Sequence, residues 1–393
     1  MFADESQRLR VFTRVLGVSV LCCLAFSWRL WMARPLYPMV PAGDWVPAFA
    51  EPFDRLFLLA TASLAALLAV PWRPATVARW LLGAFALLFL QDQSRLWPSF
   101  YQFFLLLLIL GGSRASSTSG AAERVLNGLR FVVAATYFWS GVQKLNTHFF
   151  HEEFPWFVAP LVGPLPALAP LLPMLGAAAA VLETLIGVGL LTRRLRRAAL
   201  LEAFAMHAVI LACIGPLRDN WNNSSWIWSL TAAVQAGVLF WKAPPFSLRS
   251  MFGGPARANV PQAAAFVLAG LMPVLNNFNL WDSALSFNVY TGNVHQAEIR
   301  LLPEGAAQLP EELHKFLRPG EGCSILSLNA WTLSEFHANP YPENRVFHAV
   351  FRAICSRVPP ETAALFVREK SSWLAPRRIL RYECAVCRDA PPP

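Results

Sequence analysis

The chain has 393 residues, 55% of them hydrophobic and only 15% charged, with 15 Trp, 29 Phe and a mean hydropathy of +0.42. That balance lies outside the range of soluble domains and points to a polytopic membrane protein. The formal charge of +9 would suggest nucleic acid in a soluble protein, but here the basic residues lie in short loops between apolar runs, so we expect a lipid bilayer and no nucleic acid as partner.

The basic start "RLRVFTR" leads into an apolar run without a small-residue cleavage site, so this run is expected to stay as a first span. Apolar stretches suited to a helix of ~20 residues across the hydrocarbon core begin near Val11, Phe53, Ala75, Trp97, Glu123, Met174, Ala198, Trp226 and Val260. The expectation is a mainly α protein of about nine transmembrane helices, the third and fourth rather short. Arg8 and Arg10, Arg73, Arg114 and Arg124, the "RRLRR" run at 193–197, and Lys242 and Arg249 fall in every second loop. The positive-inside rule then puts the N-terminus in the cytoplasm and the exit from the ninth span on the far side. Asp92, Arg95, "KLNTHFFHEEFPW", Arg218 and Asp219 come to the outer face.

In the fifth apolar stretch Tyr137, Ser140, Gly141, Lys144, Thr147, His148 and His151 recur every three or four residues and share one helical face. Lys144 can snorkel to the interface, or it can face a polar cavity with Ser140 and Tyr137 deeper on the same stripe. Glu183 in "AVLETLIGVGLL" and His207 in "EAFAMHAVILACIG" lie near the middle of the next two spans. An ionised group there costs ~3 kcal/mol on insertion scales, so each is expected to be paired, protonated or hydrated. Two readings stand side by side: a Glu183–His207 hydrogen bond holding two helices together, and a site lined by Lys144, Glu183 and His207. "RDNWNNSSWIW" adds asparagines, Asn222 among them, at the outer mouth, beyond what interfacial tryptophans explain. "EEFPWFVAPLVGPLPALAPLLP" is too proline-rich for a clean helix and suits a re-entrant or surface-lying loop, a lid over the lysine.

From about Ser286 the apolar runs end, dividing the chain into a transmembrane domain (1–285) and a small α+β domain (286–393) outside the cytoplasm. "QAEIRLLP" and "RRILRYECAV" alternate like strands, while "RVFHAVFRAICSRV" puts Val346, Phe347, Val350, Phe351 and Ile354 on one helical face. Cys22, Cys23 and Cys213 lie in apolar spans and read as small core residues. Cys323, Cys355, Cys384 and Cys387 all fall in the second domain, where two disulfides with three possible connectivities are expected. The "CAVC" pair could instead be a redox dithiol; no metal site is expected.

"YFWSGVQKLN" resembles the Tyr-Phe-x-x-Gly-[Val/Leu]-x-Lys-Leu-[Asp/Asn] segment of the vitamin K-dependent γ-glutamyl carboxylase family and its bacterial relatives, the horizontally transferred transmembrane domain proteins. The downstream order is similar too: an acidic residue in the next span (Glu183), a basic loop, and a helix with His207 before Gly215. "LWDSALSFNVYTGN" is similar to the Tyr-Ser-Gly-Asn segment by which many bacterial members leave their last span. The resemblance covers roughly residues 10–300 and implies a bacterial inner-membrane protein with a quinone as ligand. It also implies Lys144 as the base, assisted by Glu183 and His207. Tyr137, Ser140, His148 and Asn222 are the expected substrate-binding residues. "SRLWPSFYQFF" carries no histidine where the carboxylase has one, and the carboxylase's large outer domain is missing, so carboxylation of protein glutamate is not implied. A non-catalytic carrier or assembly partner, and a thiol–quinone oxidoreductase using Cys384 and Cys387, are the alternatives.

Overall fold

The computed structural model describes residues 4–43, 45–46, 49, 51–70, 72–112, 119–216 and 221–384. The first half is α1 (Glu5–Phe26), α2 (Phe53–Ala69), α3 (Pro74–Gln91), α4 (Pro98–Gly112) and α5 (Ser119–Gln143). A π-helical turn, Phe149–Glu153, runs into α6 (Phe154–Val162), and a 3-10 turn, Pro166–Leu171, into α7 (Leu172–Leu191). Then come α8 (Arg196–Ile214), α9 (Asn223–Phe240), the short α10 (Leu248–Met251), and α11 (Ala256–Ala265), which continues through π and 3-10 turns to Phe278.

Each of the nine apolar stretches is helical. Five helical segments among the described residues are long and apolar enough to cross a membrane: Glu5–Phe26, Pro74–Gln91, Pro166–Leu191, Arg196–Ile214 and Ala256–Phe278. The rest fall short for physical reasons. α2 and α4 have 17 and 15 residues, α5 carries Glu123, Arg124 and Arg130, and α9 opens on Asn-Ser-Ser and holds Gln235.

Two devices tie the bundle together. Where α1 begins, basic side chains satisfy backbone carbonyls that helix ends leave unpaired. Arg8 donates to Val238 O (2.6 Å) and Trp241 O (3.1 Å), Arg130 to Leu239 O (3.1 Å), and Arg196 to Ala243 O (2.7 Å) and Pro244 O (2.8 Å). Between α5 and α7, glycines let the backbones touch: a Cβ on Gly141 would lie 2.3 Å from Thr184 N, and one on Gly187 2.6 Å from Ala134 O.

The C-terminal unit is a five-stranded antiparallel sheet in the order β2-β3-β1-β4-β5, from β1 (Gln296–Leu301), β2 (Leu317–Gly320), β3 (Cys323–Leu326), β4 (Ala363–Arg368) and β5 (Ile379–Glu383). Four helices accompany it: α12 (Pro303–Ala307), α13 (Glu311–His314), α14 (Leu328–Phe336) and α15 (Asn344–Cys355). Ile299, Leu301, Leu326, Leu365 and Val367 are buried on one sheet face, and Val346, Phe347, Val350, Phe351 and Ile354 of α15 are buried as the periodicity requires. Cys355 and Cys384 form a disulfide, whereas Cys323 is a free thiol and Cys387 lies outside the described residues. That corrects the expectation of two bridges, and with Cys384 bridged to Cys355 the Cys384–Cys387 dithiol loses its first member.

This unit sits on one end of the bundle through polar contacts. Lys370 Nζ donates to Asn276 O (2.7 Å), Ser283 N to Glu343 Oε1 (2.9 Å) and Tyr341 OH to Asp282 Oδ2 (2.6 Å), while Arg345 pairs with Asp282. Asp92 and Arg95 lie at this end but are fully buried, with Arg34 as the aspartate's partner and Leu30 O (3.1 Å) and Leu88 O (3.2 Å) accepting from Arg95.

Candidate functional site

Lys144 follows the last turn of α5, with Ser140 and Tyr137 one and two turns back. Its ammonium does not snorkel outward. It donates to Ser140 Oγ (2.8 Å) and lies 3.0 Å from Glu183 Oε2 on α7, both side chains only 12% exposed. An ammonium near apolar helices needs a counter-charge within hydrogen-bond reach, and the glycine contact between α5 and α7 supplies it.

The expected Glu183–His207 bond is not formed. His207, buried on α8, has Nε2 2.7 Å from Tyr137 OH and Nδ1 2.8 Å from Ser229 Oγ on α9. Both ring nitrogens are therefore engaged by hydroxyls, linking α5, α8 and α9. A third polar chain runs beside it: Trp228 Nε1 donates to Gln102 Oε1 (2.9 Å) and Gln102 Nε2 to Thr136 Oγ1 (3.0 Å).

These groups line one cavity of about 430 Å³, whose remaining wall is mostly apolar, with Leu182, Ile186, Met206 and Ile210 among its residues. Phe149, Phe154, Phe157 and Val158 close it on the sheet-domain side. The lid is thus helical, a π turn followed by α6, where an irregular loop was expected. Pro155 and Pro160 both fall within this continuous helical run, and each removes one backbone N–H from its ladder.

Of the expected binding residues, Tyr137 and Ser140 line the cavity with Lys144, Glu183 and His207. His148 does not: its Nδ1 is 2.8 Å from Glu152 Oε1, and Arg377 of the C-terminal unit meets its other nitrogen. Asn222 stands one step back, capping α9 through Ser225 N (3.2 Å) and donating to the hydroxyl of Tyr290 (2.5 Å), which does line the cavity. Arg218 and Asp219 lie outside the described residues. The sequence reading missed Gln102, Ser229, Glu202 and Tyr290. Gln102 and Ser229 are uncharged and so carry no insertion penalty large enough to stand out; Tyr290 lies in "LWDSALSFNVYTGN", beyond the last span.

No protein family, curated protein or solved structure matches the chain. The chemistry of the cavity therefore rests on its own residues.

Proposed function

We propose that the chain is a multi-pass protein of the bacterial inner membrane with the carboxylase-like helical arrangement, and that its cavity binds a quinone or a similarly built amphipathic lipid. In this reading all nine apolar helices cross, the N-terminus is cytoplasmic and the sheet unit lies on the outer side. One observation carries it: the Lys144–Glu183 pair and the Tyr137–His207–Ser229 chain face the same mostly apolar space of about 430 Å³. Such a space suits a ring with a few polar atoms and an apolar tail.

The pair also provides a proton path. Transfer of the ammonium proton to the Glu183 carboxylate leaves a neutral amine at Lys144, which can take the proton of a quinol hydroxyl and leave an anionic oxygen beside two hydrogen-bond donors. When His207 Nε2–H donates to it, the Tyr137 hydroxyl keeps its own proton to donate to a second ring oxygen. Mass spectrometry of small molecules that co-purify with the detergent-extracted protein tests this. A quinone present in wild type and lost in Lys144→Ala supports it; equal quinone content in both overturns the assignment of Lys144.

A carrier is the second reading, favoured by the fact that Lys144 and Glu183 pair with each other and both nitrogens of His207 pair with protein hydroxyls. Redox turnover separates the two: an enzyme converts added quinol, and a carrier returns it unaltered.

A further inference from the structure

A second space of about 640 Å³ lies between the C-terminal sheet and the mouth of the bundle. Register builds its sheet wall. Arg318 pairs with Ile325, Ile325 with Arg300, and Glu298 with Phe366. These residues and Arg368 therefore share the face opposite the buried Ile299, Leu301 and Leu365. Arg300 and Arg318 stand two strands apart, about 10 Å. The Arg300 guanidinium lies 4.2 Å from the ring centre of Phe366 and pairs with Glu298. Neither Arg318 nor Arg368 has an acidic partner among the described residues, and both are exposed to the space. The facing wall carries Trp97, Trp156, Trp221 and one carboxylate, Glu153.

Val289 and Tyr290 line this space and the intramembrane cavity alike, so a single layer of residues divides an apolar compartment from one of mixed polarity. That layer is held against its own strain. Tyr290 has φ of 51°, a left-handed conformation that costs a side-chain-bearing residue ~1–2 kcal/mol; Phe287, buried just before the layer, has the same kind of backbone (φ 55°). Asn222 and Ser225 fix the Tyr290 hydroxyl, and Asn146 donates to Thr291 O (3.2 Å). Strain kept in place by so many bonds concentrates where a fold serves a ligand.

We propose that the outer space is a second binding site, for a small water-soluble organic anion bearing carboxylate or phosphate groups, held by Arg300 and Arg318 across Tyr290 from the lipid-soluble ligand, with Arg368, opposite Gln296 and so four residues further along the sheet, adding positive charge at the far end. The guanidinium fork matches both oxyanions, and the volume suits one small molecule. Glu153 on the facing wall turns the anion toward the sheet. Only the role of this anion as a co-substrate rests on the quinone reading; the site itself does not.

The test is titration calorimetry of the full-length protein in phosphatidylcholine nanodiscs at fixed ionic strength, with citrate and inorganic phosphate as probes and chloride and glycerol as controls. Saturable binding of citrate or phosphate is expected, weakened by roughly tenfold or more in R318Q/R368Q, with Arg318→Lys recovering part of it. Lys144→Ala should leave that binding unchanged while removing the quinone, which keeps the two proposals separable. Binding no stronger than chloride, equal binding in wild type and R318Q/R368Q, or occupancy only when phosphatidylglycerol replaces phosphatidylcholine would each overturn the proposal, the last by assigning the arginines to a lipid headgroup.

Discussion

The Lys144 ammonium and the Glu183 carboxylate are 39 positions apart in the chain and 3.0 Å apart in space. Removing one partner strands the other beside apolar helices, which costs ~3–5 kcal/mol for a buried pair. Lys144→Ala should therefore lower the thermal midpoint in detergent well below that of the double variant K144M/E183L, which removes both charges. Equal midpoints for the single and double variants would mean that the pair carries no coupling.

The pair exists because α5 and α7 touch at Gly141 and Gly187. Gly187→Leu must push its side chain against Phe138 N and Ala134 O, both 2.6 Å from where its Cβ would sit, and overpacking of this kind costs ~1–3 kcal/mol. Loss of stability and of the co-purifying ligand is expected together. Gly83→Ala, whose added Cβ meets nothing within 4 Å, should lower neither, since alanine is the better helix former.

Tyr137→Phe removes the hydroxyl 2.7 Å from His207 Nε2 and leaves a buried ring nitrogen without a partner. A penalty of ~1–3 kcal/mol follows, with weaker quinone binding if the hydroxyl also meets the ligand. Thermal unfolding with and without added quinone separates the two effects: a structural role alone lowers both curves equally.

The Cys355–Cys384 bridge ties the end of α15 to β5 across 29 positions. Closing a loop of that length contributes about 3.6 kcal/mol in the chain-entropy account, so Cys384→Ser should sharply lower the stability of the C-terminal unit under non-reducing conditions. Cys323→Ser should be close to neutral. Thermal unfolding of the two variants checks both, and peptide mapping of the non-reduced wild type should give the Cys355–Cys384 peptide pair.

Acid should loosen the sheet unit through His295. Burial, reinforced by Lys370 and Arg377, pushes its pKa down to about 4 from 6.5, and its Nδ1 accepts from Lys370 N, which requires the unprotonated nitrogen. The unfolded chain takes up this proton near pH 6.5 and the folded one only near 4, so stability falls as pH drops through that window, by on the order of 3 kcal/mol. Glu343 acts oppositely. Burial and the nearby Asp282 raise its pKa to about 7, so the folded state holds the extra proton between about 4.5 and 7, and stability there falls as pH rises. Comparison of His295→Gln with wild type isolates the histidine: the variant should gain on wild type at pH 5 relative to pH 7, read by hydrogen exchange of β1 and β4. No pH-dependent difference between the two would refute the assignment.

The sequence alone determined where the long helices lie and which residues stand out within them. Apolar runs and their spacing located every long helix, and alternation or a single apolar face located β1, β5 and α15, because these depend on residues a few positions apart. The price of burying a charge singled out Lys144, Glu183 and His207 one residue at a time. Only the tertiary structure decided who partners whom: Glu183 with Lys144 rather than His207, Cys384 with Cys355, and Tyr290 between two compartments. Those choices depend on how closely and at what rotation helices distant in the chain approach, which glycine contacts such as Gly141 against Thr184 set, and no local pattern of residues encodes that approach.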